Sequence, residues 1–107
     1  MFNEKIYITV NHLDDFNTTY MFRIGDILTL RKDHDNCYDD EAIAAYSRHK
    51  AKCGYVANSV CSVCRGTYSA GRVYDKIPEE YYCIVRFICE DHLIGELTEE
   101  KKEEDNI

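Results

Sequence analysis

Four residues in the middle of the chain carry the side chains that zinc prefers. They are His49, Cys53, Cys61 and Cys64, spaced H-x3-C-x7-C-x2-C. Structural zinc takes four nitrogen or sulfur ligands, and a C-x2-C pair supplies two of them from one turn. A second C-x2-C pair is missing, and a buried free cysteine packs as a small hydrophobe. We therefore expect no resident metal, with a zinc site on these four residues as the alternative.

An acidic segment, DHDNCYDDE, begins at Asp33 and offers several carboxylates. Asp33, Asp35 and Asp39 fall at positions 1, 3 and 7 of an EF-hand calcium loop. Tyr38, however, stands where glycine must turn, and Ala44 stands where a bidentate glutamate must close the loop. The segment is therefore not an EF-hand. Its Asn and Asp side chains are typical of turns, where they bond nearby backbone amides.

A third cluster, GTYSAGRVYDK, runs from Gly66 to Lys76 and combines two glycines, two tyrosines and two cations. Its glycines match neither a phosphate-binding P-loop nor a dinucleotide fingerprint. Aromatic residues are more often buried than ligand-binding, so we expect this insertion to pack against the rest of the domain. None of the four histidines lies in a recognisable motif with a Ser or Cys nucleophile. The sequence therefore predicts no enzyme.

Alternating apolar and polar residues predict the elements that must position these clusters. The predicted strands are 6–10, 20–23, 27–31, 53–56, 81–89 and 93–97. The apolar run 42–46 fits a strand as well, although its alanines are also compatible with a helix. Asn58 or Ser59 is a suitable N-cap for a short helix through Cys64, and Ser69 for a second that stops at Pro78. Many short strands around a small helical insertion predict a mainly β protein. We expect a compact OB-like or SH3-like barrel of about six strands with two short inserted α-helices.

Composition and charge limit the class of protein. The 107 residues are enough for one domain, and 45% apolar with 31% charged residues is typical of a globular protein. Six acids and two lysines from Glu96 onward contribute −4 of the net −7. We assign the barrel to residues 1–97 and expect an acidic, disordered tail over 98–107. No long apolar run and no export signal are present, so we expect a cytoplasmic protein with free thiols and no membrane partner.

The charge also restricts any role with nucleic acid. A general nucleic-acid binder carries a basic stripe and has a high pI. This chain has an acidic tail and a body that is also mildly acidic. Nucleic-acid recognition would therefore depend on a shaped pocket more than on attraction to many phosphates.

Two segments resemble the core signature of the HIRAN domain family. LRKDHDNCYDDEAIAAY begins at Leu30, and CGYVA begins at Cys53. The family pattern has a strand ending in basic and acidic residues, then N-P-Y-D, two variable residues, A-I, a short strand and G-Y/H-V/L. The segment from Gly66 to Arg72 is also similar to the insertion of small stand-alone bacterial members.

The resemblance implies an OB-like six-stranded barrel with two short helices. In large eukaryotic remodelling enzymes, this module recognises the 3′-hydroxyl end of single-stranded DNA. The zinc binding and ATP hydrolysis of those enzymes belong to neighbouring domains, for which this chain is too short. What the resemblance implies here is a non-enzymatic nucleic-acid-binding module with no cofactor, in the setting of DNA repair.

The resemblance also implies roles for individual residues. Tyr38 would stack on a terminal base, worth ~1–3 kcal/mol. Asp39 would accept the 3′-hydroxyl proton and repel a 3′-phosphate, while Asn36 offers both a donor and an acceptor. Tyr55 follows Gly54, in the G-Y/H-V/L part of the pattern, where family members place an aromatic or imidazole side chain that faces the ligand. The implied DNA-binding set is Asn36, Tyr38, Asp39, Tyr55, Phe16, Arg31, Lys32 and Arg72, with the last three as phosphate contacts.

The chain departs from the family pattern at two places. Cys37 replaces the motif proline. The loop after the first strand reads HLDDF, where DNA-binding members present paired tyrosines and a basic residue. Only Phe16 of this loop can stack, and Asp14 and Asp15 would repel phosphates at short range. The alternative function is therefore a HIRAN-like barrel that binds another protein, which the acidic surface and tail favour.

Overall fold

The computed structural model describes residues 4–12, 22–59 and 61–99. Within these ranges the chain forms six strands and one short helix. They are β1 (Tyr7–His12), β2 (Ile27–Lys32), β3 (Ile43–Tyr46), β4 (Lys52–Val56), α1 (Ala70–Tyr74), β5 (Glu80–Ile88) and β6 (His92–Thr98). The strands close into an antiparallel barrel in the order β1-β4-β3-β2-β5-β6. The predicted mainly β barrel of six strands is confirmed.

Side chains from alternating strand positions fill the inside of the barrel. In β1, Ile8 and Val10 are completely buried, and in β6 Leu93 is as well. Cys83 and Val85 of β5 belong to the same core cluster. In β1, β5 and β6 this period of two is what the apolar pattern predicts, because successive residues point to opposite faces of a sheet.

A β-bulge in β5 makes part of the predicted pattern wrong. Strict alternation places Phe87 and Cys89 on the inner face with Cys83. The pairing of β5 with β6 shifts register between Val85 and Phe87. An extra residue reverses the faces beyond it, so Phe87 is 62% exposed and Cys89 is exposed as well.

The two predicted helices have different outcomes. The second begins as predicted, since the Ser69 side chain caps α1 by accepting the Arg72 N–H at 3.3 Å. The first is wrong, because the described residues between Asn58 and Cys64 form turns instead. There the Cys64 N–H is donated to Thr9 Oγ1 of β1 at 3.1 Å, outside any helical pattern. The predicted strand over 20–23 is also wrong for its described part, since Phe22 and Arg23 are not in a strand.

The insertion between β4 and β5 is bonded to the outer face of β1. Thr9 is completely buried there, and its hydroxyl lies 2.8 Å from the Thr67 hydroxyl. The Tyr68 N–H is donated to Tyr7 O at 2.7 Å, and the Ala70 N–H to Ala57 O at 2.9 Å. As predicted, the insertion packs on the barrel, and these bonds place the start of α1 beside the end of β4.

No helix in the described ranges is long and apolar enough to cross a membrane.

One contact inside the barrel gives a test of its packing. A Cβ atom on Gly95 would lie 2.8 Å from Cys83 Sγ and 3.2 Å from Cys83 Cβ. We expect Gly95→Ala to lower the free energy of unfolding by ~1–3 kcal/mol through overpacking. Cys83→Ala alone should cost about 1 kcal/mol, comparable to one buried methylene. In a double-mutant cycle measured by urea unfolding, the double variant should lose less unfolding free energy than the two single variants lose together. Additive losses would show that this contact does not limit the core.

Candidate functional site

The loop between β2 and β3, residues 33–42, is closed by its own side chains. We call it the motif loop. Asn36 Oδ1 accepts the N–H groups of Tyr38 at 2.9 Å and Asp39 at 3.1 Å. Asp39 Oδ1 accepts the Glu41 N–H at 2.9 Å. These turns confirm the prediction that Asn and Asp bond nearby amides, and they shape the loop with Cys37, not proline, at its exposed tip.

Four of the predicted DNA-binding residues meet at one cleft of about 320 Å³. We call it the motif cleft. They are Asn36, Tyr38, Asp39 and Tyr55. Asn11 of β1, the end of β4 and the turn after it complete the walls. Tyr38 stands at the rim and is 94% exposed. Among the described residues that line the cleft, Asp39 carries the one charged side chain.

Asn58 holds Asp39 in place. Its Nδ2 group donates hydrogen bonds to Asp39 Oδ2 at 3.0 Å and to Asp39 Oδ1 at 3.3 Å. Asn58 Oδ1 accepts the Gly71 N–H at 2.7 Å, so one side chain joins the motif loop to α1. The approach is close, since a Cβ on Gly71 would lie 3.1 Å from Asn58 Oδ1. A carboxylate has about four acceptor positions, and Asp39 therefore keeps capacity for a further donor.

Asn58 was not among the predicted site residues, although its type carried a signal. Asn side chains bond free backbone N–H groups, and from the sequence this property predicts that Asn58 caps a local helix. The amide does bond a backbone N–H, but that of Gly71 in α1, thirteen residues later. Its position directly after the G-Y-V-A segment was the second signal.

Tyr55 is fixed from two sides at the wall of the cleft. Its hydroxyl is donated to Asp33 Oδ2 at 2.6 Å and accepts a hydrogen bond from Lys52 Nζ at 3.0 Å. The bond from Tyr55 is the main reason that the pKa of Asp33 is lowered. The bond to the same hydroxyl raises the pKa of Lys52. The ring therefore has a defined orientation before any ligand arrives.

The three predicted phosphate contacts do not line the motif cleft. The guanidinium of Arg31 pairs with Glu80 at 3.2 Å and lies 5.6 Å from the centre of the Tyr46 ring. Lys32 Nζ lies 4.6 Å from the centre of the Tyr74 ring. Each of these two cations therefore makes a cation–π contact away from the motif cleft.

Arg72 and Phe16 complete the predicted set. The guanidinium of Arg72 lies 4.2 Å from the centre of the Tyr68 ring, within the insertion. Phe16 lies outside the described residues, together with Asp14 and Asp15.

The alternative zinc ligands are not brought together. They are His49, Cys53, Cys61 and Cys64. Cys53 is in the core, where burial raises the pKa of its thiol to about 11, and its Sγ is donated to Ala45 O at 3.4 Å. His49 and Cys61 are exposed. Within the described ranges, no group of three or more His, Cys, Asp or Glu side chains is placed to hold a metal ion.

Cys64 instead faces a histidine from β6. Its Sγ lies 3.3 Å from His92 Nε2, and His92 Nδ1 lies 2.8 Å from Asp91 Oδ1. Sequence spacing gave no sign of this pair, because the insertion and β6 meet only through the folding of the insertion over β1.

The comparisons with known proteins concern the fold alone. No protein-family model matches the chain, and no curated protein matches it. A crystal structure of a protein from Lactobacillus plantarum, determined by a structural genomics consortium, is similar with a TM-score of 0.57. The two share 24% sequence identity, over 88% of this chain and 93% of the other.

The first test of the site concerns Asn58. We expect Asn58→Ala to lower the free energy of unfolding by about 1–3 kcal/mol, because Asp39 and the Gly71 N–H lose their partner. Asn58→Asp should cost more at pH 7, since it places two carboxylates in contact. Urea unfolding measures both, with Asp40→Asn on the exposed side of the loop as a control that stays within ~0.5 kcal/mol. An Asn58→Asp protein as stable as the wild type would contradict the network.

The second test uses the pH dependence of the bond between Tyr55 and Asp33. The folded pKa of Asp33 is lowered, so this stability is present above the unfolded value of about 3.9 and is lost as pH falls through the folded value. Tyr55→Phe should cost about 0.5–1 kcal/mol at pH 7, allowing for solvent screening.

Below about pH 4 the difference between the wild type and Tyr55→Phe should shrink. In an Asp33→Asn background, the effect of Tyr55→Phe should not change over this acidic range. Urea unfolding at a series of pH values measures both. A difference that is the same at pH 3 and pH 7 in the wild-type background would exclude the carboxylate as the partner.

Proposed function

We propose that the chain is a non-enzymatic module that binds the 3′-hydroxyl end of single-stranded DNA in the motif cleft. One observation carries the proposal. Two segments that resemble the HIRAN signature lie apart in the sequence, and their Asn36, Tyr38, Asp39 and Tyr55 line the same cleft. Binding of this kind at DNA ends fits a role in DNA repair.

The charge of the cleft suits the end of a strand better than its middle. The 3′ terminus is the position where a strand offers a hydroxyl donor in place of another phosphate. The Asp39 carboxylate has an acceptor position for that hydroxyl, and hydrogen bonds from a hydroxyl to a carboxylate are among the strong ones. A phosphate at the same position would meet a like charge at short range.

The aromatic residues supply the remaining recognition. Tyr38 is almost fully exposed and can stack on a terminal base without first leaving a packed position. Tyr55 presents a ring whose hydroxyl is already bonded. A volume of about 320 Å³ lies at the lower end of the range for small-ligand sites. The cleft is therefore suited to one terminal nucleoside.

The binding experiment compares 5′-labelled oligonucleotides that differ in the 3′ terminus. We expect fluorescence anisotropy at low salt to give at least tenfold tighter binding to a 3′-hydroxyl than to a 3′-phosphate. Asp39→Asn should reduce this preference, because the amide lacks the charge that repels phosphate. Tyr38→Ala should weaken binding to both by roughly 5- to 100-fold, and Tyr38→Phe should not. Equal binding to both ends, or no binding to either, would contradict the proposal.

A second candidate is a protein-interaction domain with a basic partner. The observation that favours it is the acidic rim of the motif loop, where Asp35, Asp40 and Glu41 are all exposed. In that case a lysine-rich peptide would bind, and binding would be lost when these three acids are neutralised. The oligonucleotides would then show no preference for the 3′-hydroxyl.

A further inference from the structure

A second and larger concavity, of about 580 Å³, lies on the outer face of β2. We call it the hairpin groove, because the tip of the β3–β4 hairpin forms one of its walls. Arg31 comes from β2, Tyr46 ends β3, and Arg48 and Lys50 come from the hairpin tip. Three cations thus surround one groove in a protein whose net charge is −7.

One of the two acids in this groove pairs with a cation, whereas the other two cations have no acidic partner among the described residues. Glu80 pairs with Arg31 at 3.2 Å, and Asp26 Oδ2 accepts the Arg23 N–H at 2.9 Å. Within the described residues, no acid lies within ion-pair distance of Arg48 or Lys50. Both are exposed. Because a backbone N–H does not neutralise Asp26, the two acids and three cations that line the groove leave it with a net charge of +1.

The hairpin tip holds these cations on a fixed backbone. The Ser47 N–H is donated to Ala51 O at 2.9 Å, and the Lys50 N–H to Ser47 O at 2.8 Å. Ser47 Oγ also accepts the His49 N–H at 3.2 Å. Lys50 has a φ of 67°, a left-handed conformation in which a residue with a Cβ costs roughly 1–2 kcal/mol more than glycine. Lysine is therefore not the residue that the turn alone favours, and strain of this kind is typical of functional positions.

Aromatic rings and cations connect the motif cleft to the hairpin groove. Tyr55 lines the cleft, and Lys52 Nζ bonds its hydroxyl at 3.0 Å. Lys52 is paired across the strands with Tyr46, which lines the groove under Arg31. Neighbouring strands lie about 4.8 Å apart, so the path from β4 to β2 is roughly 10 Å. Rings that stack on bases beside cations that meet phosphates are the features of a single-strand binding surface.

We propose that the hairpin groove binds the phosphodiester backbone of the same single strand whose 3′ end occupies the motif cleft. This inference rests on the proposed function. The strand leaves the cleft past Tyr55, crosses the outer faces of β4 and β3, and reaches Arg48 and Lys50 with its phosphates. The groove then contributes affinity and salt dependence, and the cleft contributes the preference for the end.

The test compares two strand lengths at several salt concentrations. The probes are 5′-labelled oligonucleotides of 3 and 12 nucleotides, each with a 3′-hydroxyl or a 3′-phosphate. The test variant is Arg48→Gln/Lys50→Gly, in which glycine suits the left-handed position and keeps the turn. The control is Arg65→Gln/Lys76→Gln, which removes the same charge from exposed positions that line neither concavity.

We expect the wild type and the control variant to bind the longer strand more tightly than the shorter one. The Arg48→Gln/Lys50→Gly variant should lose that gain while it binds the trinucleotide unchanged and keeps its preference for the 3′-hydroxyl. The slope of log affinity against log salt for the longer strand should fall by about 1.4, or 0.7 for each contact. Between 50 and 200 mM salt this amounts to about sevenfold.

The outcomes separate this inference from the proposed function. If the 3′-hydroxyl is preferred but the test variant binds the longer strand as the wild type does, the groove is not the path and the inference is overturned. If the variant loses affinity and salt slope while no preference for the end exists, the groove stands and the proposed function fails. The third outcome uses a labelled poly-glutamate peptide. If this peptide binds the wild type more tightly than the Arg48→Gln/Lys50→Gly variant and the oligonucleotides show no such difference, the groove is a peptide site and the inference is also overturned.

Discussion

The closure of six short strands into a barrel is the constraint on which the rest of this structure depends. Closure requires β1 to pair with β4 on one side and with β6 on the other. Asn11 consequently lies between Tyr55 and His92, and Tyr55 lies opposite Ala44 of β3. The motif loop joins β2 to β3, so its carboxylates come next to the end of β4. The pairing of β3 with β4 thus brings the two sequence segments together, and closure of the barrel adds Asn11 of β1 as a further wall of the cleft.

The acidic motif loop illustrates how a charged segment can be structural and still present a site. Asp33 is engaged by the Tyr55 hydroxyl, and Asp39 by Asn58 and its own turn. These two carboxylates accept hydrogen bonds from Tyr55 of β4, from Asn58 in the turn after it and from the backbone of the loop itself. Asp39 differs from Asp33 because it also lines the cleft. The same bonds that stabilise the loop therefore orient one carboxylate toward the cleft.

The strands were predictable because burial on one face of a strand leaves a period of two in the sequence. Strict alternation places Cys89 in the core for the same reason, and this is wrong, since a bulge leaves no mark in the apolar pattern. The convergence of Tyr38 with Tyr55 followed from the family resemblance. The resemblance could not predict where the side chains of Arg31 and Lys32 lie, because the aromatic ring that each cation contacts is set by strand register and by the docking of α1. Asn58 was missed because a side chain that bonds a backbone N–H looks the same in the sequence whether that N–H is local or distant.

The separation of the carboxylate from the cations is itself a physical requirement of recognition at a strand end. A carboxylate that rejects a terminal phosphate also repels the phosphates that follow it, and this cost falls with distance. At physiological ionic strength, charges about 8 Å apart are already largely screened. The path from Tyr55 to Arg31 crosses two strand spacings, roughly 10 Å, so under the proposed function the cations of the hairpin groove would attract the backbone outside the cleft that Asp39 lines. Lysines or arginines inside the motif cleft would raise affinity, but they would also bind the terminal phosphate that, in the proposed function, Asp39 repels.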